Sequence, residues 1–182
     1  EIRKKYNLED KYIIGNVARM PYQKNPLLLV DILKEIKKEK NNAFLITIGV
    51  GELERKLISK MKEYNLENDY LILKNKDDIY KYYNAFDSFV LTSLHEGFCI
   101  AILEAQINGL CCVVNEDVLP QEVKISNNIK EVKLNNVEEY KNMILTYIRN
   151  NKNIDATKYD IKEVIKYLEK YYQSRWLHER FN

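Results

Sequence analysis

The feature that most constrains this chain is an alternation. Short apolar runs at residues 12–17, 43–48, 70–73, 88–91 and 110–114, with a sixth candidate at 131–134, are separated by stretches of helical period. Leu28, Ile32 and Ile36 mark a helix over 27–40, and Leu53, Leu57 and Met61 mark another over 52–64. Further helices are predicted at 79–85, 100–108 (closed by Gly109), 137–149 and 161–172. Strands that each lead into a helix form parallel pairs, and a parallel sheet needs cover on both faces. The expectation is an α/β fold, a Rossmann-like parallel sheet of about six strands with helices on both faces and a C-terminal helix.

If the strand order is 3-2-1-4-5-6, the first and fourth strands lie side by side where the winding reverses. Ligands bind in the crevice beyond the carboxyl ends of such strands. Two loops then converge there. One is Ala18-Arg19-Met20-Pro21-Tyr22-Gln23-Lys24-Asn25. The other begins Ser93-Leu94-His95-Glu96-Gly97-Phe98-Cys99 and runs into the helix carrying Leu103-Glu104-Ala105.

The residue types at this crevice suit a ligand bearing both phosphates and hydroxyls. Arg19 offers a planar fork of donors and Lys24 a point charge, and a helix N-terminus adds its dipole. Taken alone, this loop reads better as two solvated surface cations. Glu104 alone reads as an acid favoured in the first turns of a helix, and Glu96 as an exposed carboxylate. The Gly97-Phe98 turn between strand and helix shifts the pair towards ligand binding, although Phe98 equally suits a core position. Gly49-Val50-Gly51 after the second strand allows a tight turn or a close ligand, and a lone GxG favours the plain turn.

Other chemistries find little support. The net charge is +2, and Lys34, Lys37, Lys38 and Lys40 are interleaved with Glu35 and Glu39, which reads as a solvated helix face rather than a nucleic-acid surface. Cys99, Cys111 and Cys112 form no CxxC pair and read as buried, reduced thiols, with Cys111 and Cys112 on opposite faces of a strand. The two histidines, His95 and His178, are far apart, and there is no DxD pair, so no metal is expected. There is no G-x-S-x-G elbow and no GxGxxG after the first strand. No apolar run approaches membrane-spanning length, and the start does not read as a signal peptide. Opening on Glu1, the chain reads as a domain excised from a longer protein.

Taken in order, Gly15-Asn16-Val17-Ala18-Arg19, Gln23-Lys24-Asn25, Gly49-Val50-Gly51-Glu52-Leu53, Glu96-Gly97-Phe98, Leu103-Glu104-Ala105 and Gly109 resemble the C-terminal half of a GT-B glycosyltransferase. More narrowly they are similar to the retaining group known as family 4, or glycosyl transferases group 1. The ending Asp160-Ile161-Lys162 with its helix is similar to transferases of capsular and exopolysaccharide synthesis.

The resemblance implies that residues 1–182 form the donor-binding domain of an EC 2.4 hexosyl-type transferase, with the N-terminal acceptor domain absent. The tail at 155–182, with Trp176, Leu177 and Phe181, would pack on that missing domain. It further implies catalytic roles for Glu96, Arg19 and Lys24. Arg19 and Lys24 would neutralise the donor diphosphate, Glu96 would contact the sugar hydroxyls and Glu104 the ribose. Backbone N–H groups of Gly97, Phe98 and Cys99 would meet the sugar or phosphate. Gly51 would also lie against the donor, and the loop around Lys76 beside the base.

No cofactor and no metal is implied, and the donor substrate is a nucleotide-sugar, UDP-linked by family habit. The partners implied are that donor and the acceptor domain of the parent chain, with no nucleic acid. The parent enzyme would work in the cytoplasm, at the inner face of the membrane. Two departures stand out: Ala18 where glycine is usual, and Cys99 and Cys111 where proline is common. The competing readings are a non-catalytic nucleotide-sugar-binding module and a sugar epimerase of related architecture.

Overall fold

The computed structural model describes residues 1–74 and 76–147, together with Thr157, Asp160, Lys162, Ile165 and Lys166. Six strands form one parallel sheet: β1 (Tyr12–Val17), β2 (Ala43–Ile48), β3 (Tyr70–Leu73), β4 (Ser88–Leu91), β5 (Cys111–Asn115) and β6 (Ile129–Val132). Their order is β3-β2-β1-β4-β5-β6, with β1 pairing in parallel to both β2 and β4. The reversal of winding therefore falls between β1 and β4, as expected.

Helices α1 (Ile2–Lys5), α2 (Leu27–Lys37), α3 (Glu54–Glu63), α4 (Ile79–Ala85), α5 (Ile100–Ile107) and α6 (Val137–Thr146) complete the described part of the first compact unit, which spans Glu1–Lys152. Strands β2, β4 and β5 are buried along their whole length, the consequence of helices on both faces. On one face Leu29, Leu33 and Ile36 of α2 pack with Leu57 of α3, Ile144 of α6 and Val90 and Cys111 of the sheet. On the other, Tyr83 of α4 packs against Phe89 of β4. Cys111 belongs to the first face and Cys112 lies near Cys99 and Tyr83 on the second. All three thiols are free and buried.

Several boundaries differ from expectation. Helix α2 stops at Lys37 rather than 40, because the Lys38 and Glu39 N–H groups bond three residues back, to Glu35 and Ile36, and the chain then turns into β2. Helix α3 starts at Glu54 rather than 52, because the Leu53 N–H is bonded to the Met20 carbonyl at 3.0 Å, which docks the preceding loop on the β1 loop. Strand β5 starts at Cys111 because the Leu110 N–H still closes α5 onto Ala105. That closure uses Gly109 at φ +73°, a left-handed residue that ends the helix. Strand β6 runs over Ile129–Val132, two residues earlier than expected, in the register that sets Ile129 opposite Cys112.

The short α1 was not anticipated. Its Arg3 donates to the carbonyls of Ala85 and Lys11 and to Asp87, and this clamp holds the amino ends of β1 and β4, away from the crevice. In the second unit, Lys162, Ile165 and Lys166 are helical. The other positions of the helix expected at 161–172, and the tail with Trp176, Leu177 and Phe181, lie outside the described residues, as do Ile148 and Arg149. No helix among the described residues is long and apolar enough to cross a membrane.

Candidate functional site

Near the carboxyl ends of β1, β2 and β5 lie the buried polar side chains Asn16, Thr47 and Asn115. Asn16, near the end of β1, donates to the Val90 carbonyl of β4 at 2.8 Å and accepts from the Thr47 hydroxyl of β2 at 3.0 Å. Three strands are thereby tied together where the sheet reverses. Asn115, at the end of β5, donates to the carbonyls of Thr92 (3.1 Å) and Ser93 (2.7 Å) and accepts from the Tyr140 hydroxyl at 2.8 Å. Buried polar groups persist only when satisfied, so this belt fixes the loop after β4 from beneath.

The same loop is stitched to the loop after β1. The Thr92 hydroxyl lies 3.0 Å from both the Lys24 and Asn25 carbonyls. The Leu94 N–H donates to the Gln23 carbonyl at 2.8 Å, and the Gln23 amide returns a bond to the His95 carbonyl at 3.0 Å. Asn25, at φ +47°, is the left-handed turn that closes the 3-10 segment Tyr22–Lys24 before α2.

This stitching brings Lys24 onto Glu96 across 72 residues of sequence. The ammonium lies 2.7 Å from one carboxylate oxygen and 2.6 Å from the other. Only 17% of the Lys24 side chain and 5% of the Glu96 side chain is exposed. The Ser93 hydroxyl donates to the same carboxylate. An ammonium has three protons and two point at Glu96, which leaves one for a ligand. Among the described residues Oε2 has only Lys24 as partner, so it retains capacity for a hydroxyl donor. The expectation set Lys24 on phosphate and Glu96 on sugar as separate contacts. In this structure they form one charge-neutral pair.

The remaining expected residues fall around that pair. Gly97 is exposed, and a side chain there would meet nothing within 4 Å, so the surrounding fold does not explain its smallness. Phe98 is 57% exposed, which removes the core alternative, and Cys99 is buried at the N-cap of α5. Burial, reinforced by the Glu96 carboxylate, pushes the Cys99 thiol pKa up and keeps it protonated and unreactive. Arg19 is exposed, with no hydrogen-bond or ion-pair partner among the described residues. It lines a cleft of about 240 Å3 with Val17, Ala18, Gly49, Lys76 and Ile79.

Gly49, at φ +149°, lies so close to the β1 loop that an added Cβ would stand 2.1 Å from the Ala18 carbonyl oxygen. Gly51 is packed against the Met20 backbone in the same way. Both glycines therefore allow the close packing of this loop on the β1 loop, a reason for their smallness that neither the plain turn nor the close ligand had named. Gly51 as a donor contact is not needed to explain them. Glu104 faces α4 and accepts from the Tyr83 hydroxyl at 2.8 Å.

Asn16 and Gln23 stand within the motifs quoted from the sequence but were given no role of their own there, and neither were Tyr83, Thr92, Ser93, Asn115 and Tyr140. Asn16 and Asn115 carried a readable signal, an amide inside an apolar strand run. Tyr83 carried none, since its partner sits on another helix.

The profile for glycosyl transferases group 1 matches residues 1–170. The chain belongs to the glycosyl transferases group 1 family. Relatives of this family share about half to two-thirds of the chain. The UDP-Gal:alpha-D-GlcNAc-diphosphoundecaprenol alpha-1,3-galactosyltransferase of Escherichia coli is 36% identical over 109 residues, which is 58% of this chain and 28% of that protein. The amylovoran biosynthesis glycosyltransferase AmsD of Erwinia amylovora is 34% identical over 90 residues, 50% of this chain and 25% of its own length. The matched part thus spans less than a third of these relatives.

Among solved structures, HepE of Anabaena in complex with UDP and glucose superposes with a TM-score of 0.71 at 21% identity, over 80% of this chain and 41% of HepE. TarM of S. aureus, solved with UDP, also gives 0.71, at 22% identity, over 78% of this chain and 29% of TarM. At such identities the likeness establishes the fold, that of one domain of a GT-B glycosyltransferase.

Proposed function

We propose that this chain is the donor-binding half of a retaining glycosyltransferase that takes a nucleoside diphosphate sugar, UDP-linked, for surface polysaccharide synthesis. The observation that carries the reading is the Lys24–Glu96 pair, nearly closed to solvent at the crevice between β1 and β4, beside the bare Gly97 and the start of α5.

The chemistry follows from the parts. The third proton of Lys24, the exposed Arg19 fork and the N-terminus of α5 are all suited to a diphosphate. Negative charge grows on that group as the glycosidic bond to it breaks, so donors fixed there lower the barrier to departure. Glu96 accepts a sugar hydroxyl while Lys24 and Ser93 keep its carboxylate oriented. Glu104, further along α5, accepts from the ribose. The base would enter the cleft on its Lys76 and Ile79 side, with Arg19 at the diphosphate. The acceptor, the residues that bind it and any membrane contact belong to the partner half of the parent enzyme.

A non-catalytic nucleotide-sugar module of the same fold is the second reading. Ser93, Lys24 and Glu96 count against a module that holds only a nucleotide, which has no need of an oriented carboxylate beside the diphosphate; a module that holds the whole nucleotide-sugar differs from the enzyme in that the chain joined to an acceptor domain would still transfer nothing.

The test is calorimetry of the 182-residue chain with UDP, GDP, UMP and their sugar derivatives. UDP should bind saturably and more tightly than UMP, with sugar transfer by this chain alone at background. Flat titrations with every diphosphate would overturn the proposal.

A further inference from the structure

Tyr83 has one of the largest fully buried side chains in the chain, 1% exposed. Its ring meets Phe86 edge-on at 5.9 Å and Phe89 at 5.8 Å. Its hydroxyl lies 2.8 Å from Glu104 Oε2 and 3.3 Å from the Ala101 carbonyl. A phenol has one proton, and the shorter, charge-assisted contact takes it. Burial first, and the Glu104 charge second, push the Tyr83 pKa far above the ordinary tyrosine range, so the hydroxyl remains a donor.

Glu104 is half-buried, and its other oxygen, Oε1, has no hydrogen-bond partner among the described residues. A lone carboxylate on a helix samples several rotamers, whereas one with a single oxygen fastened is a fixed acceptor. Fastening it in advance removes an ordering cost that a ligand would otherwise bear. We infer that Tyr83 is a positioning residue for nucleoside recognition: it fastens Oε2 of Glu104 so that Oε1 is held ready for the vicinal hydroxyls of a ribose. This inference rests on the donor-binding reading above. It adds that selectivity for a ribonucleotide depends on a residue of α4 that does not itself touch the ligand.

The plain alternative is that the bond merely fastens α4 to α5. A structural fastener would affect every ligand alike, whereas a positioning residue affects only ligands that carry the diol. The experiment is calorimetry of the 182-residue chain, wild type, Tyr83→Phe and Glu104→Gln, with UDP and with 2′,3′-dideoxy-UDP. The wild type should prefer UDP by about tenfold or more, the scale of one hydrogen bond to a charged group. Tyr83→Phe keeps the ring contacts and should bring that preference within about threefold by weakening UDP alone. Glu104→Gln should lessen the preference as well, and if Tyr83→Phe melts early both ligands are compared below its melting temperature.

Equal weakening of both ligands by Tyr83→Phe, or an undiminished preference in either variant, would overturn the role of Tyr83. A wild-type chain that binds neither ligand would instead overturn the donor-binding reading, and this inference with it.

Discussion

Lys24→Ala should weaken UDP binding by about ten- to 150-fold and also cost the fold about 3–5 kcal/mol. Both effects come from one side chain. The affinity loss is that of a charged hydrogen bond to phosphate. The stability loss arises because the variant leaves the Glu96 carboxylate, only 5% exposed, with Ser93 as its remaining side-chain partner. A buried charge stripped of its counter-ion is far more costly than the pair was beneficial. For a domain whose total stability is of order 5–15 kcal/mol, such a change is large.

A double variant separates the two effects. Lys24→Ala with Glu96→Gln has no orphaned charge, so it should recover most of the stability in urea unfolding while UDP binding stays weak. A Lys24→Ala chain that unfolds like the wild type would show the pair to be a solvated surface contact. Full recovery of affinity in the double variant would remove Lys24 from the diphosphate site.

Gly49→Ala should destabilise the chain by about 2–4 kcal/mol and weaken UDP binding at the same time. The residue sits at φ +149°, a region that side chains with a Cβ rarely adopt. The new methyl would stand 2.1 Å from the Ala18 carbonyl oxygen and 2.8 Å from its carbon. Those atoms are backbone, so the loop itself must move, and Arg19 is the next residue along it. Gly97→Ala is the matched control, since its methyl meets nothing within 4 Å and should leave the unfolding free energy within about 0.5 kcal/mol of wild type. If the two variants melt alike, the close packing of the Gly49 loop on the β1 loop does not matter to the fold.

The strands β1 to β4 are legible to the residue because each is an apolar run bounded by polar or turn residues, as in Asn42-Ala43…Ile48-Gly49. Strand β6 is less legible, because Ile129-Lys-Glu-Val and the run two residues later alternate equally well. Only the pairing with β5 chooses between them. The convergence of Arg19, Lys24 and Glu96 follows from strand order, so it was readable once β1 and β4 were taken as neighbours. The direct Lys24–Glu96 contact was not, because it depends on Thr92, Gln23 and Leu94 drawing two loops together by bonds that carry no periodicity. The Tyr83–Glu104 contact joins residues 21 apart on two helices, and no local pattern marks it.

The reading of the crevice as a diphosphate site is tested most directly at Arg19, which is exposed and has no partner among the described residues, so its removal leaves the fold untouched. Calorimetry of Arg19→Ala against UDP should show Kd raised about ten- to 150-fold at an unchanged melting temperature. An unchanged Kd, in a wild-type chain that does bind UDP, would make Arg19 a solvated surface cation and contradict the account.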